Sequence, residues 1–208
     1  MSEQLPGDKG LLIVLSGPSG AGKDTIIRAL MREVPELHYS VSATTRSPRP
    51  DEKDGVDYYF VSQERFRAMI DEGGLLEWAG IYGYFYGTPR AAVERQLAAN
   101  RDIILKLDVQ GGAQVRKGYP EGVFIFIVPP LLSELRRRIE ARGSETPAML
   151  EKRYRCAVDE IRQAVNYDYI VVNDDLEQAV AEIKAIITAE KLRTARRWPA
   201  HRSVLLSE

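Results

Sequence analysis

Residues 16–25 (SGPSGAGKDT) have the types and the spacing of a loop that binds phosphate groups. Gly17, Gly22 and Lys23 match the pattern Gly-x-x-x-x-Gly-Lys. Glycines let the main chain curl around an anion and point its N–H groups at the oxygens, while the lysine adds a point charge. The helix expected after the loop adds the positive end of its dipole. The segment therefore predicts that the protein binds the phosphate tail of a nucleoside triphosphate.

One position departs from the usual pattern of such loops. Where a Ser or Thr commonly contacts Mg²⁺, this chain has Asp24, followed by Thr25. A carboxylate is favourable in the first turn of a helix whatever it binds. Carboxylate oxygens are also suitable ligands for Mg²⁺, directly or through water. Both interpretations remain open, because one side chain can do both, and Asp24 is kept as a candidate metal-binding residue.

A second anion-binding segment is predicted at residues 40–50 (SVSATTRSPRP), where Arg46 and Arg49 are three positions apart in a non-helical, proline-rich stretch. Guanidinium forks match phosphate oxygens in a bidentate manner. Alone, such a pair would usually be solvated surface. Hydroxyl and aromatic residues follow at 57–60 (DYYF), 76–78 (LEW) and 86–89 (YGTP). The combination favours a small phosphorylated acceptor that carries a ring.

Four apolar runs alternate with stretches compatible with helices. The predicted strands are residues 11–15, 103–107, 123–128 and 169–172, and the predicted helices are residues 23–34, 110–118, 131–142 and 176–193. Strands that alternate with helices predict an α/β fold with a parallel sheet covered by helices. Residues 40–87 break this rhythm with glycine-rich turns and short strands. Within them we expect one helix at residues 63–72, with Ser62 as its N-cap.

The composition is that of an ordinary globular chain: 208 residues, 44% hydrophobic and 28% charged, with a formal net charge of −1. No general field would attract nucleic acid or a membrane surface, and no signal peptide or membrane span is expected. Cys156, His38 and His201 show no metal-binding or nucleophilic spacing, and the single cysteine fits a reducing compartment. We therefore expect a soluble cytoplasmic protein of one domain. The basic tail favours a solvated helix end over an anionic partner.

Taken in order, the motifs resemble those of the guanylate kinase family, whose members phosphorylate GMP to GDP with ATP. The motifs are residues 17–25, 40–46 with 48–49, 76–79 (LEWA), 86–89, 108–111 (DVQG), 142–143 (RG) and 173–175 (NDD). The resemblance covers residues 11–190. It implies a P-loop NTPase fold with a parallel-sheet core (10–41, 89–137 and 154–193), an inserted mixed α/β GMP-binding region (42–88), a helical lid (138–153) and a basic tail (194–208).

The resemblance also implies roles for individual residues. The ATP site would comprise Gly17, Pro18, Ser19, Gly20, Ala21, Gly22, Lys23, Asp24 and Thr25, with Asn173 near the adenine. Around the GMP phosphate would lie Ser42, Arg46, Arg49, Tyr58 and Tyr86, and Glu77 and Thr88 would read the guanine with Asp108 nearby. The catalytic residues would be Lys23 and the arginine clamps Arg138, Arg142 and Arg153. A glutamate fits guanine because it can accept hydrogen bonds from both N1–H and the 2-amino group.

Each of these residues also has an ordinary structural interpretation. Ser42 could be a plain strand residue, Thr88 the N-cap of a helix, and Asp108 a cap at the end of a strand. The tyrosines could be core aromatics, and the arginines at 136–138 a solvated helix face. Taken together and in motif order, the functional interpretation is favoured.

The sequence departs from the family again at Lys106. Most members have an acidic residue there, two positions before Asp108. Our hypothesis is that the carboxylate lost from this strand is compensated by Asp24, with Lys106 near it. The alternative is an unremarkable change, with Lys106 pointing elsewhere.

We expect in-line transfer of the γ-phosphoryl group of ATP, with Mg²⁺, to GMP and without a covalent enzyme intermediate. A ribose 1,5-bisphosphate kinase is one alternative, because that family also has an Asp after the loop lysine. It should not need Glu77 or the tyrosine pair. The other is a non-catalytic, guanylate-kinase-like phosphopeptide-binding module, and the intact loop argues against it.

Overall fold

The computed structural model describes residues 10–81, 83–140 and 147–205. Its larger sheet contains β1 (Leu12–Ser16), β2 (His38–Tyr39), β7 (Ile103–Lys106), β8 (Val123–Val128) and β9 (Tyr169–Val172). All neighbouring strands are parallel, in the order β2-β7-β1-β8-β9. The predicted parallel sheet is therefore confirmed, and the four strands expected from apolar runs are all present.

The continuous apolar runs of these strands are explained by helices on both faces of the sheet. Ile13 of β1 belongs to the buried cluster shared with α1 (Lys23–Glu33) and α7 (Leu176–Leu192). Val14, on the opposite face, packs in the cluster of α3 (Arg90–Ala98) and α4 (Val109–Gly118). A parallel sheet covered on both faces has no polar side, so no alternation of apolar and polar residues remains.

The topology brings two functional segments to one edge of this sheet. Strands β1 and β7 are parallel neighbours, and Leu15 is paired with Lys106. Both strands therefore end on the same side, so the loop at 17–22 and residues 107–108 lie next to each other. In open α/β sheets the carboxyl ends of the strands are the usual place for a ligand.

The inserted region forms a second, smaller sheet. Its strands are β3 (Ala43–Thr44), β4 (Tyr59–Phe60), β5 (Leu75–Ile81) and β6 (Tyr84–Pro89), in the order β4-β3-β6-β5. Between β4 and β5 lies α2 (Gln63–Asp71), and the hydroxyl of Ser62 accepts a hydrogen bond from the Arg65 main chain at 3.1 Å. The helix and its N-cap are thus confirmed. Phe66 of α2 is fully buried between Ala43 and Leu75 in a core of its own.

The segment expected to form a lid, residues 138–153, begins in one helix and ends in another. These helices are α5 (Leu132–Glu140) and α6 (Pro147–Ile161), and Leu135 and Ile139 of the first pack on Ala157 of the second. The predicted helix at 131–142 is confirmed as far as Glu140, and its last two residues lie outside the described residues. A 3-10 helix (Arg162–Asn166) leads into β9.

The chain continues after α7 into α8 (Thr194–Leu205), in the basic tail for which a solvated helix end is the favoured interpretation. Arg196 of this helix donates a hydrogen bond to the main-chain oxygen of Glu121. Within the described residues, no helix has the length and apolar character required to span a membrane.

Candidate active site

The loop between β1 and α1 depends on glycines with positive φ angles: 145° at Gly17, 91° at Gly20 and 90° at Gly22. A Cβ atom on Gly17 would collide with the main-chain oxygen of Ile127, and one on Gly22 with the side-chain amide of Asn173. Residues with side chains rarely adopt such angles, so both backbone strain and lack of space require glycine. The main chain can therefore curl tightly before α1 and present the N-terminus of that helix to an anion.

Lys23, the first residue of α1, is folded over this loop. Its ammonium group donates hydrogen bonds to the main-chain oxygens of Gly17 and of Pro18, the latter at 3.0 Å. An ammonium group in this position supplies positive charge at the mouth of the loop.

Asn173 and Arg138 form a chain of hydrogen bonds that ends on the loop. The Asn173 side chain is buried and donates a hydrogen bond to the main-chain oxygen of Ala21 at 2.7 Å. Arg138 donates to the main-chain oxygen of Asn173 at 3.2 Å and to the Glu134 carboxylate at 2.7 Å. Glu134 accepts from both Arg137 and Arg138, which lowers its pKa to about 2. The structure thus joins α5 to the loop, and the role of Asn173 toward adenine stays a prediction.

On the opposite side of the cleft, one carboxylate organises the two arginines of the acceptor segment. Glu52 lies 2.8 Å from the Arg46 guanidinium and accepts a hydrogen bond, also at 2.8 Å, from the Arg49 main chain. Burial opposes the ionisation of Glu52, but these hydrogen bonds outweigh it and the pKa of Glu52 is lowered. The ionised carboxylate fixes Arg46, which is largely buried, whereas the Arg49 side chain is mostly exposed.

Aromatic rings surround Arg46. Its guanidinium carbon lies 5.6 Å from the ring centre of Tyr58 and 5.9 Å from that of Phe60. Tyr58 in turn meets Tyr86 edge to face, at a centroid distance of 5.9 Å. Both tyrosines are only partly buried and line the cleft, so the interpretation of these rings as core aromatics does not fit the structure.

Glu77 is a buried carboxylate with a raised pKa. It is 5% exposed on β5, and the Thr88 hydroxyl of β6 donates a hydrogen bond to it at 2.7 Å. Burial is the main cause that raises the pKa of Glu77 to about 7, and the charge of Asp108 adds to the effect. Thr88 is not the N-cap of α3, because Pro89 occupies that position. The alternative interpretation of Thr88 is therefore wrong.

Asp108 follows β7 and caps α4, accepting a hydrogen bond from the Gly111 main chain at 2.8 Å. Asp108 therefore caps the following helix rather than the end of the strand, because β7 ends at Lys106, and it also lines the cleft. Burial raises the pKa of Asp108, while its hydrogen bonds and Lys23 oppose the rise. Gly111 has room only for hydrogen, since a Cβ atom there would come within 2.5 Å of Glu77 Oε2.

Lys106 lies between the two sides of the cleft. Its Nζ atom is 2.5 Å from Asp24 Oδ1 and 3.3 Å from the Tyr58 hydroxyl. Burial disfavours the charged form, but Tyr39, Asp24 and Tyr58 outweigh it, and the pKa of Lys106 is raised. The hypothesis that Lys106 lies near Asp24 is confirmed, and the alternative that it points elsewhere is wrong.

A cleft of about 250 Å³ brings most of the predicted site residues together. Its walls include Gly17, Ser19, Gly20, Gly22, Lys23, Asp24, Ser42, Arg46, Arg49, Tyr58, Glu77, Tyr86, Asp108 and Arg153. Six predicted residues stand outside this lining: Pro18, Ala21, Thr25, Thr88, Arg138 and Asn173. Thr25 faces a neighbouring, larger cleft. Arg142 lies outside the described residues.

Glu160, which was not among the predicted site residues, lines the same cleft from α6. Burial raises its pKa, and Asp108 adds to the rise while Lys23 opposes it. Arg153 and Glu160 are seven residues apart, which is two turns of a helix, so they share one face. Because Arg153 was already a candidate site residue, this spacing could have identified Glu160 from the sequence.

A glycine loop at the carboxyl end of a central parallel strand, with a lysine opening the next helix and an arginine pair across the cleft, defines a P-loop kinase that acts on a phosphorylated acceptor. The family model of guanylate kinase matches residues 9–190. The chain therefore belongs to the guanylate kinase family.

Individual relatives agree with this assignment. The chain is 52% identical over 188 residues to a guanylate kinase of Desulfitobacterium hafniense, covering 90% of this chain and 94% of the relative. It is 51% identical over 200 residues to one of Symbiobacterium thermophilum, covering 96% and 95%. Among solved structures, guanylate kinase from Anaplasma phagocytophilum superimposes with a TM-score of 0.81 at 34% identity, covering 97% of this chain and 98% of that one.

Proposed function

We propose that this protein transfers the γ-phosphoryl group of ATP to GMP, giving ADP and GDP, in the cleft between the glycine loop and the inserted sheet. Family membership supports the activity of an ATP:GMP phosphotransferase. The observation that carries the assignment to this cleft is that Lys23 and the loop share it with Arg46 and Glu77. Two anion-binding walls and a base-reading carboxylate are what two nucleotide substrates require.

The loop wall would hold the triphosphate. Main-chain N–H groups at residues 17–23 and the N-terminus of α1 would receive the phosphate oxygens, and Lys23 would exchange its main-chain partners for the β and γ phosphates. Asn173 would act on this site through the loop, since it holds the main chain at Ala21. Its proposed place near adenine remains part of this proposal.

The opposite wall would hold GMP. Arg46 and Arg49, with Ser42, Tyr58 and Tyr86, would bind its phosphate. The Glu77 carboxylate would accept from N1–H and the 2-amino group of guanine, a donor pair that adenine lacks. Thr88 already donates to Glu77, which fixes the carboxylate in one orientation. A site that depends on such hydrogen bonds strongly rejects analogues that leave its own polar groups unpaired.

The chemical step would need little proton transfer, because the attacking GMP phosphate oxygen is already anionic. Catalysis would then consist of positioning, neutralisation of charge on the migrating group and exclusion of water. Lys23, Arg138, Arg142 and Arg153 are the proposed clamps. Arg153 lines the cleft from α6, and Arg138 of α5 donates to Asn173, which in turn holds the loop at Ala21. A lid at 138–153, a GMP-binding region at 42–88 and closure of both around the substrates belong to this proposal.

The donor set fits Mg²⁺ that arrives with ATP. Mg²⁺ in such sites is usually bound by one or two carboxylates together with substrate phosphates and waters. The carboxylates of Asp24 and Asp108 line the cleft beside Lys23, and Asp24 is more than half exposed. In the described part of the chain, no group of three or more acidic, His or Cys side chains could bind a metal by itself. When bound, Mg²⁺ would neutralise phosphate charge, and Asp24 is its proposed ligand.

The test is an assay of ADP release with GMP, dGMP, AMP and ribose 1,5-bisphosphate as acceptors. We expect GMP to be used at least about 10³-fold more efficiently than AMP, since the site depends on guanine donors. Preferred use of ribose 1,5-bisphosphate, or ADP release that no acceptor stimulates, would contradict the proposal. A cytoplasmic location and the lack of a nucleic-acid or membrane partner stay predictions from the sequence.

A further inference from the structure

Lys106 connects two parts of the molecule that would bind different substrates. It ends β7 of the main sheet. Two of its partners are Asp24, in the first turn of the loop helix, and Tyr58, in the inserted region, while a third, Tyr39, belongs to β2 of the main sheet. The ammonium group also lies 5.1 Å from the centre of the Tyr58 ring. A single cation therefore contacts the ATP half and the acceptor half at once.

The Lys106 ammonium group is better protected from solvent than the cation of Arg28–Asp57, an ion pair that also joins these halves. The Lys106 side chain is 14% exposed and that of Asp24 56%, and the partners of Lys106 offset the cost of burying an ammonium group. Arg28 of α1 lies 3.9 Å from Asp57 of the inserted region, but the Arg28 side chain is 76% exposed. Exposed pairs contribute little free energy because water and salt screen them. Lys106 is therefore the less screened of the two cations.

The bridge formed by Asp24, Lys106 and Tyr58 is placed so that it can affect both substrate sites. Besides the proposed catalytic cleft, a second cleft of about 880 Å³ lies between α1 and the inserted region. Asp24, Tyr58 and Lys106 line both clefts and therefore form part of the wall between them. A shift of Tyr58 on binding of the acceptor would change the distance to Lys106 and, through it, the orientation of the Asp24 carboxylate.

We propose that Lys106 is a positioning residue that couples the two substrate sites, so that GMP bound beside Tyr58 strengthens ATP binding beside Asp24, and the reverse. This inference rests on the proposed function. Coupling between two binding equilibria is reciprocal, so either ligand can be used to measure it. The contacts of Lys106 define the route of this effect, from the Tyr58 phenol through the Lys106 ammonium group to the Asp24 carboxylate.

The experiment measures the dissociation constant of GMP by calorimetry, with and without a saturating non-hydrolysable ATP analogue. A chelator in the buffer makes the result independent of Mg²⁺. In the unmodified protein we expect the analogue to tighten GMP binding by about tenfold, a typical size for coupling between sites. Lys106→Met removes the ammonium group but keeps an unbranched side chain that reaches the ε position, and should reduce the factor to below about twofold. Lys106→Arg should restore at least half of the lost coupling on a logarithmic scale.

The matched control is Lys191→Met. Lys191 also pairs with a buried carboxylate, that of Asp102, but lies outside the lining of both clefts. We expect this variant to lose thermal stability while it keeps the tenfold coupling. Equal loss of coupling in both variants would mean a general loosening of the fold and would overturn the proposal. Unchanged coupling in Lys106→Met, or none in the unmodified protein, would also overturn it.

Asp24→Asn keeps the proposal testable if Lys106→Met does not fold, because Asp24 is more than half exposed. This variant should also lose the coupling, and adding Lys106→Met to it should cause no further loss, since the two side chains act as one unit. Retained coupling in Asp24→Asn would contradict the proposal. The acceptor assay on the unmodified protein remains a separate test, so transfer to GMP without coupling would refute only the inference about Lys106.

Discussion

The two walls of the cleft are made in different ways. The loop wall uses main-chain groups fixed by glycines, at the end of a strand whose five residues are all buried. The acceptor wall uses side chains carried by a small sheet, whose fully buried core consists of Ala43, Phe66 and Leu75 within the described residues. Main-chain geometry in a large core has few alternatives, whereas side chains on a small core can be rearranged at low cost.

The difference matches the tasks of the two walls. A triphosphate is common to many substrates, and a rigid anion-binding loop is sufficient for it. An acceptor must be identified by its base, which requires specific side chains, and the proposed closure would then enclose it. The bridge from Asp24 through Lys106 to Tyr58 is the contact at which the rigid wall meets the adaptable one.

The largest effect should come from Lys23→Met, which removes charge from the rigid wall. We expect kcat to fall by about 10³-fold, because the lysine stabilises charge on the migrating phosphoryl group. Lys117→Met, on an exposed position of α4, is the control and should retain full activity. Retention of more than a tenth of kcat by Lys23→Met would contradict the proposed role of the loop.

The rigid wall was also the part that the sequence predicted best. The spacing of Gly17, Gly22 and Lys23 determines the loop, because each glycine is required by a positive φ angle. The strands of the main sheet followed from apolar runs that only a doubly covered parallel sheet explains. The residues that form the loop are consecutive in the sequence, so short-range patterns were sufficient to predict it.

The acceptor wall was predicted as a set of residues but not as a geometry. Glu52 is only three positions from Arg49 and six from Arg46, yet no short pattern predicts that its carboxylate would organise both. Nor does one predict that Thr88 would donate to Glu77 across a strand pair. The approach of Lys106 to Asp24 spans 82 positions in sequence and depends on the pairing of β1 with β7. Glu160 was missed because helix periodicity was not extended from Arg153. Contacts between distant segments depend on tertiary packing, which single-sequence patterns do not contain.

A second variant separates the two walls. Phe66→Ala removes the central side chain of the small core, a change that typically costs about 3–5 kcal/mol. If the acceptor region is an independently adaptable unit, GMP binding should weaken at least about tenfold while the ATP analogue binds within about twofold of its usual affinity. Hydrogen exchange should accelerate mainly in residues 42–88. As control, Phe124→Ala in the main sheet should lower the stability of the whole protein. A uniform increase in exchange for Phe66→Ala would show that the two walls are one cooperative unit.

The smallest effect concerns pH and the carboxylate that would read guanine. Glu77 has a pKa of about 7 in the folded protein, against an ordinary value of 4.5, because burial disfavours its charged form. The folded state therefore holds a proton that the unfolded state releases, so the contribution of Glu77 to stability falls as pH rises from 4.5 to 7 and is constant at higher pH.

Recognition of guanine needs the ionised form of Glu77, so GMP should bind about eightfold more weakly at pH 6 than at pH 7.5 on this account. The GMP phosphate also titrates, with a pKa of about 6, but it does so equally in Glu77→Gln, and the difference between the two proteins isolates Glu77. Glu77→Gln should bind GMP weakly without this additional pH dependence, whereas the exposed control Glu72→Gln should keep it. Identical pH profiles for the unmodified protein and Glu77→Gln would mean that the adaptable wall does not recognise the base through this carboxylate.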